Sequence, residues 1–352
     1  ESHTTQQHTS KSSCWTYLLV RMEAKVNINE DCSTGLGTIK LNRPQSLNAL
    51  DNDMYGEIQS VIDRWQNHPK MRAILMIGAG DRAFSAGGDV KGLRSLLRHP
   101  DFPPEVHGKG IPGVPTADAY RVSFTLIYRL ACMQPRLPQI SLWNGVVMGG
   151  GVGLSLYGRF RVATESTVWA MPETRIGLIP DCGTTMVFAR LPGGLGPYLA
   201  LTGRSLGAAE LVRWGLATHV VPVAQLPALR RRLGVALQAQ KDTPAHVVLE
   251  GVLNWFHLRY GHEVLAFSRC SLEEHLLAID RCFGNSKSLT EIFNRLAAEK
   301  TPWAQETCDH LQELSPTALE VALQLVLAAA APPGDTTPRG SAGPPRRTLR
   351  GG

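Results

Sequence analysis

The chain has 352 residues, 43% hydrophobic and 19% charged, with a formal net charge of +6. That is enough for one large domain or a domain with an appendage; no stretch approaches the roughly 18 to 20 uninterrupted apolar residues of a membrane helix, the nearest being Val321 to Ala331. Seven scattered cysteines without a CxxC pair support neither a zinc ribbon nor a secreted disulfide framework and fit a reducing compartment, while the mild positive charge suits anionic ligands such as a phosphorylated cofactor, though solvated surface is its commoner cause.

Residues Glu1 to Ser13 are polar and aperiodic, and segment 1–24 is expected to be disordered. The first residue is not methionine, as in a processed form or a fragment, and Met22 is an alternative start. Gly35 to Leu41 reads as a turn into a strand that ends at Asn42-Arg43-Pro44. Leu50, Met54, Ile58, Val61, Ile62 and Trp65 recur at helical spacing, so a helix is expected over 51–67, capped by Asp51 or Asn52 and stopped by His68-Pro69. Ala73 to Ile77 is a buried-strand candidate. The loop after it carries Ala86, Gly87, Gly88 and Asp89 at a strand's end, where open α/β sheets place ligands. His99 to Pro115 is rich in proline and glycine and reads as a loop, and Tyr120 to Met133 reads as an amphipathic helix.

The apolar run Ile140 to Val147 reads as the central strand. It empties into Gly149-Gly150-Gly151 and then into Val152 to Tyr157, which can open a helix. Glycines there let a ligand approach the backbone with N–H groups turned outward, a natural site for developing negative charge; a tight turn or close helix–strand packing is the plainer alternative. Phe160 to Ala163 and Val168 to Ala170 read as short strands. Beyond them Glu173 and Asp181 stand eight positions apart in a mostly apolar stretch. Carboxylates in such company are costly unless paired or used, although a helix-start charge for Glu173 and an N-cap for Asp181 explain them equally well locally.

Other chemistries find little support. Gly153-Leu154-Ser155-Leu156-Tyr157 fails the GxSxG pattern at its last position, so Ser155 reads as packing. Neither glycine cluster completes GxGxxG or a P-loop, no HExxH is present, and single histidines such as His219 and His275 read as surface or satisfied core. Cys182 is a poor nucleophile candidate, since its acidic neighbour disfavours the thiolate.

Four motifs in order, Leu41-Asn42-Arg43-Pro44 with Leu47-Asn48-Ala49-Leu50, Ala86-Gly87-Gly88-Asp89, Asn144-Gly145 with Gly149-Gly150-Gly151, and Pro172-Glu173, resemble the crotonase (enoyl-CoA hydratase/isomerase) superfamily. Within it, Arg161 to Glu165, Ala170 to Thr174, Ile176 to Asp181, Leu199 to Gly203, Gly215 to His219, Ser271 to His275, Asp280 to Phe283 and Leu314 to Leu319 resemble the 3-hydroxyisobutyryl-CoA hydrolase family, over roughly residues 25 to 328. The resemblance implies an α/β fold, a spiral of ββα units over 25–221, with a helical C-terminal region over 222–331 and a low-complexity Pro/Gly/Arg tail over 332–352. It further implies an oxyanion hole at Gly88 and Gly150, catalytic carboxylates at Glu173 and Asp181, the latter associated with the substrate hydroxyl, and substrate contacts at Ala86, Gly87, Asp89 and Gly149. The implied activity is hydrolysis of an acyl-CoA thioester in valine catabolism, with Glu173 as nucleophile or general base, no metal, and no cofactor beyond the coenzyme A of the substrate.

Three departures from the family pattern bear on this. Gly153 stands where hydratases carry a second glutamate, which disfavours an enoyl-CoA hydratase or isomerase. The helix Tyr120 to Tyr128 lacks the acid that the hydrolases place there, and the tail after Leu327 departs from their helices, as in a truncated or divergent chain. A mitochondrial location is expected, with peroxisome and cytoplasm as alternatives, no membrane partner, and a homo-oligomer as one state. The alternative function is a non-catalytic scaffold of the mitochondrial small ribosomal subunit, meeting rRNA and proteins through the arginines of the tail.

Overall fold

The computed structural model describes residues 24–97, 115–133, 136–268 and 270–330. The N-terminal stretch, the Pro/Gly-rich stretch after His99 and the basic tail lie outside the described residues.

A hairpin opens the fold. Strand β1 (Val26–Asp31) pairs antiparallel with β2 (Leu36–Leu41), Val26 opposite Leu41, across a turn in which Asp31 accepts from the Ser33 amide at 2.9 Å. Helix α1 (Asn52–Asn67) follows. Asp51 caps it by accepting from the Met54 amide, and an extended His68 ends it, as the spacing predicts. Its buried face contains Met54, Ile58, Val61, Ile62 and Trp65 from the apolar period, and also Tyr55.

Strands β3 (Ala73–Gly78) and β4 (Ala83–Ser85) come next, then helices α2 (Val90–Leu97) and α3 (Pro115–Cys132). The central run does not form one strand. It divides into β5 (Gln139–Trp143) and β6 (Val146–Met148), which belong to different sheets. The break lies at Gly145, with φ +74°, where any Cβ would come within 2.2 Å of the Arg82 carbonyl. Helix α4 (Gly150–Ser155) begins at the second of the three glycines, earlier than Val152. Strands β7 (Phe160–Ala163) and β8 (Val168–Ala170) match their expected limits, and β9 (His219–Val220) is the last strand among the described residues.

Six strands form one sheet in the order β1-β2-β3-β5-β7-β9, parallel from β2 onward, and β4-β6-β8 form a smaller parallel sheet. Each turn of chain therefore gives one strand to each sheet before a helix closes it, the spiral that the resemblance implies. Between β8 and β9 run α5 (Thr184–Phe188), α6 (Leu195–Thr202) and α7 (Ala208–Arg213). The elements after β9 are all helical: α8 (Leu226–Ala239), α9 (Ala245–Phe267), α10 (Leu276–Phe283), α11 (Leu289–Glu299), α12 (Pro302–Gln312) and α13 (Pro316–Ala330), with two short 3-10 turns among them. Helices α8 and α9 bury Leu229, Leu233, Leu249 and Leu253 against Leu75, Ile140 and Val162 of the large sheet. The other core joins α1, α3, the small sheet and α10 to α13, so the C-terminal helices share both cores with the strands.

Candidate active site

The first motif pair acts as a clamp on the Gly88 loop. Asn48, at φ +54° and fully buried, donates through Nδ2 to the carbonyls of Ala79 (3.0 Å) and Ala83 (2.8 Å), and its Oδ1 accepts from the Arg43 amide. Leu50 bridges Gly88: its amide donates to the Gly87 carbonyl and its carbonyl accepts from the Asp89 amide, both at 2.8 Å. The Asp89 carboxylate accepts from the Gly92 amide and from Arg43, contacts that hold it well below the usual carboxylate range. Asp89 thereby fixes the loop, and Ala86 is tied to it through its amide on the Leu47 carbonyl.

The two glycine clusters meet. A Cβ on Gly150 would lie 3.4 Å from the Gly88 nitrogen, and one on Gly87, whose φ is +98°, would lie 3.2 Å from the Gly150 nitrogen. Neither the Gly88 nor the Gly150 amide has a protein acceptor among the described residues, and the space a Gly88 side chain would take is open. Two unpaired donors beside open space form an arrangement suited to an anionic oxygen.

Glu173 reaches the same place from β8 through a 3-10 turn, Glu173–Ile176, closed by Gly177 at φ +75°. Its Oε1 is 2.8 Å from the position of a Gly149 Cβ, so glycine at 149 (φ +49°) is what admits the carboxylate. The side chain is buried, and Oε2 has no partner among the described residues. Burial first, then the charge of Asp181, pushes its carboxyl up to about 8. Asp181, half-buried, is also raised by burial, against a hydrogen bond from the Cys182 thiol. The carboxylate of Asp181 does not cap a helix: α5 has Gly183 at its N-cap, and the Asp181 backbone carbonyl takes the Thr184 amide and hydroxyl. Cys182, at φ +56°, has its thiol pushed far up by burial and by Asp181, which removes it as a nucleophile.

Tyr55, Tyr120 and Cys182 also converge here, and sequence reading had not assigned the two tyrosines to the site. Burial raises both phenols, and the Asp181 carboxylate raises them further. Ser155 is packing, accepting from the Trp143 indole and donating to the Gly151 carbonyl. His219 is a satisfied core residue held by Thr218 and Asn254, with burial lowering it to about 4. A separate recess of about 340 Å³ takes Arg175, Arg204, His275, Trp303 and His310 but does not include Glu173. Glu30, Cys32 and His68 bring donors of the metal-binding type within 4.8 Å of one another, yet Glu30 already accepts from Trp65 and Arg64.

Gly153 lies where a side chain has no room. Its Cβ would stand 2.7 Å from both Cys182 Sγ and Ile127 Cδ1. Gly153→Glu is accordingly expected to lose at least about 2 kcal/mol in chemical denaturation, from overpacking and a buried charge, and to gain no hydration of an enoyl-CoA measured by loss of the conjugated thioester absorbance.

A parallel-rich spiral with glycine amides facing a carboxylate is the architecture of acyl-CoA enzymes of the crotonase type. It superposes on the carnitinyl-CoA dehydratase of Mycobacterium thermoresistibile with a TM-score of 0.70 at 30% identity, covering 87% of this chain and 80% of that one. The family model for enoyl-CoA hydratase/isomerase matches residues 36–334, and the chain belongs to that enzyme family. It is 37% identical over 308 residues to probable 3-hydroxyisobutyryl-CoA hydrolase 2 of Arabidopsis thaliana, covering 86% of this chain and 74% of that protein. To the mitochondrial 3-hydroxyisobutyryl-CoA hydrolase of Gallus gallus it is 36% identical over 290 residues, 82% of this chain and 70% of that protein.

Proposed function

We propose that the chain is a 3-hydroxyisobutyryl-CoA hydrolase of valine catabolism, working in the mitochondrion and needing no cofactor beyond the coenzyme A of its substrate. The observation that carries this reading is the buried carboxylate of Glu173, its Oε2 without a partner among the described residues, beside two unpaired glycine amides, with a glycine packed tight at 153. A single activated carboxylate suits hydrolysis; addition of water across a double bond in this superfamily takes two. The similarity to hydrolases from a plant and a bird points the same way.

The thioester oxygen lies against the Gly88 and Gly150 amides. Ionised Glu173 then either attacks the carbonyl carbon, expelling the coenzyme A thiolate and leaving a mixed anhydride that water cleaves, or draws a proton from the attacking water. In both routes charge gathers on the thioester oxygen where the donors already point. Asp181 accepts from the hydroxyl of the acyl group. A ribosomal scaffold would have no use for an uncompensated buried carboxylate, whose desolvation costs stability.

Release of free thiol from 3-hydroxyisobutyryl-CoA, compared with isobutyryl-CoA, tests the assignment. Asp181→Asn is expected to lower kcat/KM roughly 10- to 100-fold on the hydroxylated substrate and much less on the other, since the ligand hydroxyl loses a charged acceptor. Equal losses on both substrates would remove Asp181 from this role, and absence of any thioester cleavage by the wild type would overturn the function.

A further inference from the structure

Tyr55 lies on the buried face of α1, among Met54, Ile58 and Ile62, where an aliphatic residue would serve packing as well. Only 6% of the residue is exposed. Its hydroxyl stands 2.4 Å from the position a Cβ on Gly150 would take, so it abuts one of the two glycines of the site. No protein hydrogen bond to that hydroxyl is found among the described residues, nor is it one of the polar atoms sealed completely from solvent. Burial raises the phenol, and the ionisable groups that face it, Cys182, Asp181 and Tyr120, raise it further, so it stays protonated and donates. A phenol held in an apolar helix face without an acceptor costs stability unless a ligand supplies one.

We infer that Tyr55 is a specificity-determining residue whose hydroxyl, with Asp181, clamps the hydroxyl group of the acyl chain. This deepens the hydrolase reading and rests on it. A hydroxyl both donates and accepts: the Asp181 carboxylate takes its proton in a hydrogen bond, and Tyr55 donates to its oxygen. An acyl group without the hydroxyl leaves both partners unanswered, a stronger source of discrimination than shape alone.

The test compares wild type with Tyr55→Phe, which keeps the ring and removes the donor, on 3-hydroxyisobutyryl-CoA and isobutyryl-CoA. The expected result is a loss of about 5- to 10-fold in kcat/KM on the hydroxylated substrate, chiefly through KM, and less than a third of that loss on the other. In the Asp181→Asn background the same change should have a smaller effect, because the two residues act on one group. Equal losses on both substrates, carried by kcat, would make Tyr55 a third donor to the thioester oxygen and overturn the inference, as would no loss on either. If the wild type cleaved no thioester, the hydrolase reading would fail; calorimetric titration of the two CoA thioesters on wild type and Tyr55→Phe would still decide the clamp by whether the affinity ratio falls.

Discussion

Glu173→Gln is expected to lower CoA release by about 1,000-fold, within the range that loss of a positioned base or carboxylate nucleophile gives, because the amide can neither take a proton nor attack. The same change should make the protein more stable at neutral and alkaline pH. The carboxyl is raised in the folded state to about 8. Below the unfolded value near 4.5 it is protonated in both states and imposes no penalty. Between that value and about 8 the unfolded chain ionises while the folded one holds its proton, so stability falls as pH rises. The variant lacks this fall, and a gain of a few kcal/mol at pH 8 relative to pH 5 should appear in paired urea titrations. Wild-type kcat/KM should climb with pH through the same window, since only the ionised carboxylate works. A flat profile together with retained turnover in the variant would exclude Glu173.

The second large effect is expected at the Gly150 amide. Replacing it by an ester oxygen through chemical semisynthesis removes one donor and leaves the turn, and turnover should fall roughly 100- to 1,000-fold, the range for one oxyanion donor. Proline would also remove the N–H, but its Cβ would come within 2.4 Å of the Tyr55 hydroxyl, so the ester is the sharper probe. Because the donor matters where charge develops, the loss should fall on kcat with KM nearly preserved. Normal turnover in the ester variant would mean that another group holds the oxyanion.

Much of this architecture was legible because short apolar runs were bounded by strong punctuation. Ala73 to Ile77, Phe160 to Ala163 and Val168 to Ala170 are strands, and Asp51 and His68 bound α1 as their chemistry suggests. The division at Gly145 was hidden, since the residues on either side are equally apolar and only the crowding of the Arg82 carbonyl shows why the chain must turn. Strand β1 was missed because its alternation of Val26 and Ile28 breaks at Glu30-Asp31. The fold and the family resemblance agree. At the site, the motifs named the glycines and carboxylates, while the convergence of Tyr55, Tyr120 and Cys182 depends on how α1 and α3 come to lie beside α4, which no local pattern records. Periodicity lists apolar residues, and so it passed over a buried phenol whose hydroxyl abuts Gly150.

The alternation of strands between two sheets also bears on how the chain reaches its native state. Ile74 pairs with Gln139 and Val162 with His219, so each parallel ladder requires a long loop to close before its hydrogen bonds form. Such contacts make folding slow relative to helical proteins of similar stability, and they leave strand edges open meanwhile. Gly88, Gly150 and Glu173 follow β4, β6 and β8, one from each successive turn of the spiral. No early fragment of the nascent chain can hold the whole constellation, and hydrolytic competence becomes a late event in the life of each newly made molecule.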